Sequence, residues 1–376
     1  MYRREFLQAA AAAPVALAAD VRQELPKYRV VSRFQPVAHP GMPGPYAGKV
    51  TRVHAEKCID EKSEKADVPT VREMMAQGMR GLTGDTDARD SWARFFTAAD
   101  VVGIKVNCSG APGIMSTPEV VGEIVRNLGT VDVKPEQIWI YERFKNQVDS
   151  VHYDRHVPGG VHIWTAENDR GSILSYDPNT YVDVNFFGEE DTRSNLIRLV
   201  SERFTKIINV PNMKDHGAAG VTGCLKNIAY GDFSNVARSH SGYKTNTYSF
   251  IGTLAGVEPL RSRTVLQIMD GLRGVWHGGP FSPNRKFRFY PKQMLFGTDP
   301  VAIDRLLLDV IDDKRKAEHS VSVWDRSMTN LKSGYGYDDN PSLNRFIREP
   351  GHIEYASTLG LGIYDVHKIQ ARKIEL

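Results

Sequence analysis

Ionisable and flexible residues are concentrated between positions 209 and 227, in the segment NVPNMKDHGAAGVTGCLKN. His216 can take up and release a proton near neutral pH, and the ammonium group of Lys226 can bind an anion. If a helix begins near Thr222, Lys226 follows one turn later on the same face. The segment therefore predicts a site in which His216 is a general acid/base and Lys226 an anion-binding or catalytic amine.

Three glycines in this segment, at positions 217, 220 and 223, allow backbone angles closed to other residues and let a ligand approach the main chain. A helix that begins there would direct free N–H groups toward an anion. The alternative is a tight strand-to-helix connection, with a solvated Lys226 and a backbone-bonded His216. We favour the ligand site, because ligands commonly bind at such turns in open α/β sheets.

Other candidates for ligand binding share a position in this turn, shortly after it, or at the end of a predicted strand. The full set is Lys105, Asn107, Lys214, Gly220, Thr222, Gly223, Asn227, His240 and Asp270. A lysine that ends a buried strand can neutralise a carboxylate or a phosphate. The expected ligand is therefore a small anionic molecule.

The elements that would position these residues follow a strand–helix–strand order. Residues 100–106 and 137–141 are continuous apolar runs typical of buried strands, and between them Ser116, Thr117 and Pro118 predict the start of a helix. A short strand at 204–210 precedes the glycine-rich turn, and a helix at 221–230 follows it. The pattern predicts an α/β fold with a mostly parallel sheet flanked by helices, and an extended N-terminal arm.

The remaining segments extend this scheme. Helices are predicted at 68–79 and 90–96, and the strands at 162–165 and 181–187 are interpreted as one extension of the sheet. Asp270 is expected to end a strand that begins at 264. Asp299 and Pro300 predict a helix start, with Asp304 on the surface of that helix.

The N-terminus has the features of an export signal. Arg3 and Arg4 precede Phe6, an alanine-rich run follows, and Ala16 and Ala18 fit a signal-peptidase site. We predict a twin-arginine signal at 1–18, an extended arm at 19–66 and one α/β domain at 67–376. The alternative is an amphipathic first helix of the folded domain. Export would use the twin-arginine machinery and place the protein in the periplasm or outside the cell.

Composition excludes several classes of protein. The 376 residues are 41% hydrophobic and 25% charged, and 48 basic against 45 acidic residues give a net charge of +3 without a basic block. Nucleic acid is therefore not an expected partner, and we expect no membrane span in the mature chain. The three cysteines, at 58, 108 and 224, lack the spacing of a disulfide framework or an iron–sulfur site.

Separated motifs resemble the family catalogued as domain of unknown function 362. They are found, in order, at 102–107, 116–120, 214–227, 270–271, 278–280 and 299–304. Some members carry a ferredoxin-like cluster module, and this chain lacks the cysteines for one. The resemblance implies a fold that spans most of the mature chain and little about its chemistry.

The segment HGAAGVTGCLK, from His216 to Lys226, also resembles the turn of nickel-pincer lactate racemases, in which the lysine carries the cofactor. The resemblance implies that Lys226 would carry the cofactor and that His216 would be a catalytic acid/base. Cys224 and Leu225 stand where that family has Gly and Arg. Two cofactors thus remain as candidates, a metal ion and a lysine-linked organometallic group.

A local cluster of His152, Asp154 and His156 could offer ligands to a metal ion. Solvated loop residues are the competing interpretation. Taken together, the sequence predicts an exported enzyme that acts on a small anionic molecule. The alternative is a non-catalytic periplasmic protein that binds a ligand or assists cofactor assembly.

Overall fold

A computed structural model describes residues 25–167, 173–240, 246–281, 284–325 and 350–376. The predicted signal at 1–18 lies outside these residues. The described strands are β1 (Arg29–Val31), β2 (Lys49–His54), β3 (Val102–Val106), β4 (Ile138–Phe144), β5 (His162–Glu167), β6 (Tyr176–Asp183), β7 (Arg193–Ile197), β8 (Lys206–Val210), β9 (Asn212–His216), β10 (Gly220–Val221), β11 (Thr264–Val275), β12 (Arg288–Phe289), β13 (Gln293–Gly297) and β14 (Gln370–Glu375).

The α-helices lie mainly between these strands. They are α1 (Val68–Thr83), α2 (Ala88–Ala93), α3 (Pro118–Thr130), α4 (Lys145–Asp149), α5 (Arg198–Glu202), α6 (Gly223–Asp232), α7 (Thr247–Ala255), α8 (Leu260–Arg263), α9 (Pro300–Ala317) and α10 (His352–Thr358). Among the described residues, no helix has the length and apolar character needed to span a membrane.

Eleven of the described strands form one large sheet. Its main path is β14-β2-β13-β11-β8-β3-β4-β5, with β9, β10 and β12 joined outside this path. The neighbours from β11 through β8, β3 and β4 to β5 are parallel, whereas β13 is antiparallel to both β11 and β2. The predicted α/β class with a mostly parallel sheet is confirmed.

Local sequence explains why the central elements form where they do. All five residues of β3 are buried, as expected for a β-branched strand covered on both faces. Helix α9 begins where the Asp299 carboxylate accepts a hydrogen bond from the backbone of Ala302, and Pro300 occupies the first turn.

Two hydrophobic clusters lie against the large sheet. One includes residues of α1, α2 and α3, and the other includes residues of α6, α7, α9 and α10. Strand β8 contributes Ile207 to the second cluster and Ile208 to the first, because successive side chains in a strand point to opposite faces. Helices therefore cover both faces of the sheet.

The structure corrects three sequence predictions about elements. Residues 49–54, placed in the extended arm, form β2 and pair with β13 and β14 in the large sheet. The strand predicted at 181–187 begins earlier, as β6, and pairs with β1 and β7 in a separate three-stranded sheet rather than extending the sheet beyond β5. In both cases the position of the strand depends on pairing with strands that are distant in the sequence. Local sequence patterns do not reveal such partners.

The third correction concerns Asp270. It does not end its strand, because β11 continues to Val275 through pairing with β9 and β12. Asp270 is fully buried in the middle of β11. It accepts hydrogen bonds from the backbone N–H groups of Thr117 and Leu272, and so ties the start of α3 to the sheet.

Candidate functional site

A cavity of about 380 Å³ lies beyond the carboxyl ends of β3 and β4, against α6. Several predicted site residues line it, together with residues that the sequence did not single out. The lining residues are Asn107, Ser109, Glu142, Arg143, Phe144, His216, Gly217, Ala218, Thr222, Lys226, Asn227, Tyr230, Gly231, Val236, Ala237, His240, Gly279, Pro280 and Phe281.

The position of the cavity follows from the topology. Asn107 directly follows β3, Glu142 ends the buried part of β4, and the chain beyond β8 continues into β9, which ends at His216. In parallel sheets the carboxyl ends of neighbouring strands lie at one edge, where ligands usually bind. The fold thus brings together side chains that are far apart in the sequence.

His216 is buried, and one of its ring nitrogens is bonded to its own turn. Its Nδ1 accepts hydrogen bonds from the backbone N–H groups of Ala218 at 2.9 Å and Ala219 at 3.2 Å. Burial, followed by the positive charge of Lys226, holds the pKa of His216 well below its usual value. The ring is therefore neutral, and its proton is on Nε2, which makes His216 a hydrogen-bond donor.

His240 has the opposite arrangement. Its Nδ1 lies 3.2 Å from the backbone carbonyl of Ala237, which can only accept a hydrogen bond, so Nδ1 carries the proton. Burial and the charge of Lys226 lower the pKa of His240 to about 3. The neutral ring thus has an unprotonated Nε2. The ring centroids of His216 and His240 are 5.3 Å apart, so a donor and an acceptor lie side by side.

Lys226 and Thr222 lie on the cavity side of α6, as the helical spacing predicted. The Lys226 Nζ lies 4.6 Å from the centroid of the Tyr230 ring, within the range of a cation–π contact. Desolvation, followed by the positive charge of Lys226, lowers the pKa of His216, His240 and His352. The same field favours an anion in the cavity.

Lys105 lies behind the cavity wall rather than on it. Its Nζ donates to the carboxylate of Glu142 at 2.8 Å and to the carbonyl of Val106, and its side chain is fully buried. A Cβ at position 231 would overlap the end of the Lys105 side chain, so Gly231 lets α6 approach β3 closely. Lys105 therefore affects the cavity indirectly, by holding Glu142, which does line the cavity.

Lys214 and two predicted amides form a buried network beside Lys105. The Lys214 Nζ donates to the Asn107 side-chain oxygen, and the Asn107 amide donates to the Asn227 side chain at 2.9 Å. The Asn227 amide then donates to Asn209 at 2.7 Å. Burial lowers the pKa of Lys214 to about 7. Asn107 and Asn227 line the cavity, while Lys214 supports them from behind.

Two of the backbone N–H groups at the start of α6 are bonded within the protein and are not available to a ligand. The buried carboxylate of Asp304, from α9, accepts hydrogen bonds from the backbone N–H groups of Cys224 and Leu225. Gly223 has a φ of +57°, and a Cβ there would overlap this carboxylate. The prediction that Asp304 lies on a helix surface is wrong, because α9 packs on α6 and buries it. Burial raises the pKa of Asp304 to about 7.

Three other predicted ligand contacts are not on the cavity wall. Gly220, with a φ of +69°, belongs to the β9–β10 hairpin, Gly223 contacts Asp304, and Asp270 lies in β11 against Thr117. None of these three residues lines the cavity. Cys224 is buried and does not line it either. These positions shape the turn and its surroundings.

Within the described residues, the histidine-rich loop is not part of a cluster of three metal-ligand side chains. His152, Asp154 and His156 are exposed, and the described residues contain no group of three or more His, Cys, Asp or Glu side chains arranged to hold a metal ion. His152 and His156 flank a short 3₁₀ turn at Tyr153–Arg155, and Asp154 lies within it. The interpretation as solvated loop residues fits this geometry.

Several residues at or near the site were missed in the sequence. Glu142, Arg143, Tyr230 and Phe281 line the cavity, and His352 is buried with neither ring nitrogen bonded within the described part of the chain. Glu142 and Arg143 directly follow the strand predicted at 137–141, which is the one local signal that could have pointed to them. The others come from loops and helices whose positions depend on tertiary packing.

A family model described as "Domain of unknown function (DUF362)" matches residues 102–309, which is more than half of the chain. The match includes the strands that end at the cavity, the glycine-rich turn, α6 and the first part of α9. A comparison with curated proteins finds no match.

Proposed function

The chain belongs to the DUF362 family, and we propose that it is an exported enzyme acting on a small anionic molecule in this cavity. One observation carries the proposal: Lys226, His216 and His240 line a single cavity beyond the ends of parallel strands. A cation next to one hydrogen-bond donor and one proton acceptor is a combination suited to acid–base chemistry on an anion.

The three side chains have separate roles in this proposal. Lys226 attracts and orients the anionic group. His216 donates a hydrogen bond from Nε2 and stabilises negative charge on a substrate oxygen, as neutral imidazoles can. His240 accepts a proton at Nε2. The base is thus His240, whereas the sequence alone pointed to His216, because the turn already uses the His216 Nδ1 lone pair.

Substrate binding would make His240 a stronger base. Burial and the charge of Lys226 lower its pKa to about 3 in the free protein. A bound anion offsets the charge of Lys226, so the pKa of His240 rises when the substrate is present. The site would therefore be active only when occupied by an anion.

The racemase-like turn bears on the cofactor. Lys226 and His216 line the same cavity, so a group linked to Lys226 would lie beside His216. Such a group would supply the redox chemistry in that case, while His216 and His240 would still donate and accept protons. We keep a lysine-linked organometallic group and a metal ion as the two cofactor candidates.

Export rests on the paired arginines and the alanine-rich run that follows them. We propose that the folded chain first takes up its cofactor and is then moved to the periplasm by the twin-arginine machinery. The signal peptide is cleaved after residue 18. The mature protein would then be the arm and the α/β domain.

Isolation of the protein from its exporting host tests these proposals. Native and denaturing mass spectra, with elemental analysis of the same sample, report the mature N-terminus, a bound anion and any group attached to Lys226. The proposal predicts a start at residue 19 and a co-purified anion that the wild-type protein converts. Conversion should be lost in His240→Asn while the anion still binds.

The same experiment identifies the alternative. An anion that binds in a Lys226-dependent manner and is recovered unchanged would make the protein a periplasmic binder or a cofactor-assembly factor. A mass increase that survives denaturation and maps to Lys226, together with nickel, would support a racemase-like enzyme.

A further inference from the structure

The lining of the cavity includes three aromatic side chains. Phe144 at the end of β4, Tyr230 on α6 and Phe281 line it, and 46% of Phe281 is exposed. Aromatic side chains favour an aromatic partner in offset or edge-to-face geometry. The remaining apolar lining, Val236, Ala237 and Pro280, adds surface of the same character without adding charge.

The charges of the lining indicate the sign of the charge that the ligand carries. Glu142 is paired with Lys105 at 2.8 Å, and Arg143 is paired with Glu167 at 2.6 Å. Each of these pairs is neutral as a unit. Lys226 adds a further positive charge to the lining, which favours a ligand that carries negative charge.

The two histidines indicate which polar groups the ligand has. His216 offers an N–H at Nε2, and His240 offers an unprotonated Nε2, so a ligand that satisfies both has an acceptor oxygen and a hydroxyl. With ring centroids 5.3 Å apart, one small molecule can contact both rings. Leaving either nitrogen without a partner in a dehydrated site would cost affinity.

We propose that the ligand is a hydroxylated aromatic anion, such as a hydroxyarene carboxylate. Its ring lies against Tyr230 and Phe144, its anionic oxygen accepts from His216 next to Lys226, and its hydroxyl donates to His240. This inference rests on the proposed function, because it presupposes that the cavity binds an anion at Lys226. A volume of about 380 Å³ accommodates a single-ring molecule of this kind.

The test is calorimetric titration of the purified protein with three probes: 3-hydroxybenzoate, benzoate and cyclohexanecarboxylate. We expect benzoate to bind more tightly than cyclohexanecarboxylate, and 3-hydroxybenzoate to bind about fivefold more tightly than benzoate, the gain of one hydrogen bond. Ring-nitrogen ¹⁵N shifts should show protonated Nε2 in His216 and protonated Nδ1 in His240.

Two His240 variants isolate the hydroxyl contact. In His240→Asn the amide can still donate to the Ala237 carbonyl, but no acceptor remains at the Nε2 position, so the preference for 3-hydroxybenzoate over benzoate should vanish. In His240→Gln an amide oxygen reaches that position, and part of the preference should remain. A preference that survives in His240→Asn would contradict the assignment.

The outcomes distinguish this inference from the proposed function. If all three probes bind equally, and all lose affinity in Lys226→Met, the aromatic and hydroxyl assignments are overturned while anion binding at Lys226 stands. If no probe binds in a manner that depends on Lys226, both proposals are overturned. Graded binding, lost in Lys226→Met, supports both.

Discussion

The cavity wall and the buried polar layer behind it use their polar side chains differently. Behind the wall, the Lys105 and Lys214 side chains and the Asn209 amide donate to oxygens of the protein. On the wall, His216 and His240 each use one ring nitrogen for the backbone and keep the other for a partner. A polar side chain whose partners are all within the protein supports the fold, and one with an uncommitted nitrogen at a cavity can contact a ligand.

This comparison predicts that substitutions behind the wall reduce stability, whereas substitutions on the wall reduce binding. The largest effect is expected for Lys105→Met, which leaves the buried Glu142 carboxylate without its cation. Breaking a buried pair costs about 3–5 kcal/mol of unfolding free energy. Urea denaturation measures the loss. The double variant Lys105→Met with Glu142→Gln should recover part of it, and equal losses in both variants would contradict the ion-pair explanation.

Asp304→Ala is expected to be the next most destabilising. It removes the acceptor of two backbone N–H groups at the start of α6, at a cost of about 2–4 kcal/mol. Asp304→Asn keeps one acceptor oxygen and should lose less. Thermal unfolding compares the two variants. Because Asp304 acts through α6, ligand affinity should fall in proportion to the loss of helical order. If Asp304→Ala were as stable as the wild type, Asp304 would not be a helix cap.

On the wall, Lys226→Met should lower the affinity for 3-hydroxybenzoate by a factor of about 10 to 100, the value of a charge-assisted hydrogen bond. Lys226→Arg keeps the charge and serves as the matched control. The affinity should also fall as salt concentration rises, since the attraction is electrostatic. Equal affinity in the wild type and in Lys226→Met would remove Lys226 from the site.

Asp232 is an exception within the buried layer, because neither of its carboxylate oxygens has a hydrogen-bond partner in the described part of the chain. Burial raises its pKa to about 8. The folded protein then keeps this proton up to about pH 8, while the unfolded chain loses it near pH 4. Between these values the unfolded state binds fewer protons, so this carboxyl makes the protein less stable as pH rises.

The slope from Asp232 is at most about 1.4 kcal/mol per pH unit. Asp232→Asn removes the titrating group and should flatten the dependence of the unfolding free energy on pH over that window. Denaturation at several pH values from 4 to 8 measures the slope. Identical slopes in the wild type and the variant would mean that Asp232 is not protonated in the folded protein.

The sequence predicted the elements whose signals are local. Strands β3 and β4 were visible as buried apolar runs, and α9 through its Asp299 cap and Pro300. Helical spacing correctly placed Thr222 and Lys226 on one side of α6. The glycine-rich turn was recognised because its residue types are unusual for a simple connection.

The remaining features depend on contacts between distant segments. Asp304 reaches the start of α6 from a helix about 80 positions later, and no local pattern reveals that it takes the place expected for a ligand anion. The opposite tautomers of His216 and His240 follow from backbone atoms two or three residues away in folded turns. The role of Glu142 depends on its ion pair with Lys105, which lies on the neighbouring strand.

His216→Asn tests the central distinction between wall and layer most directly. The Asn oxygen can still accept from the backbone N–H groups of Ala218 and Ala219, but the Nε2–H donor is gone. Paired urea denaturation and 3-hydroxybenzoate titration should give an unfolding free energy within about 1 kcal/mol of the wild type and an affinity at least about fivefold weaker. A clear loss of stability with unchanged affinity would contradict the account, because His216 would then support the turn rather than bind a ligand.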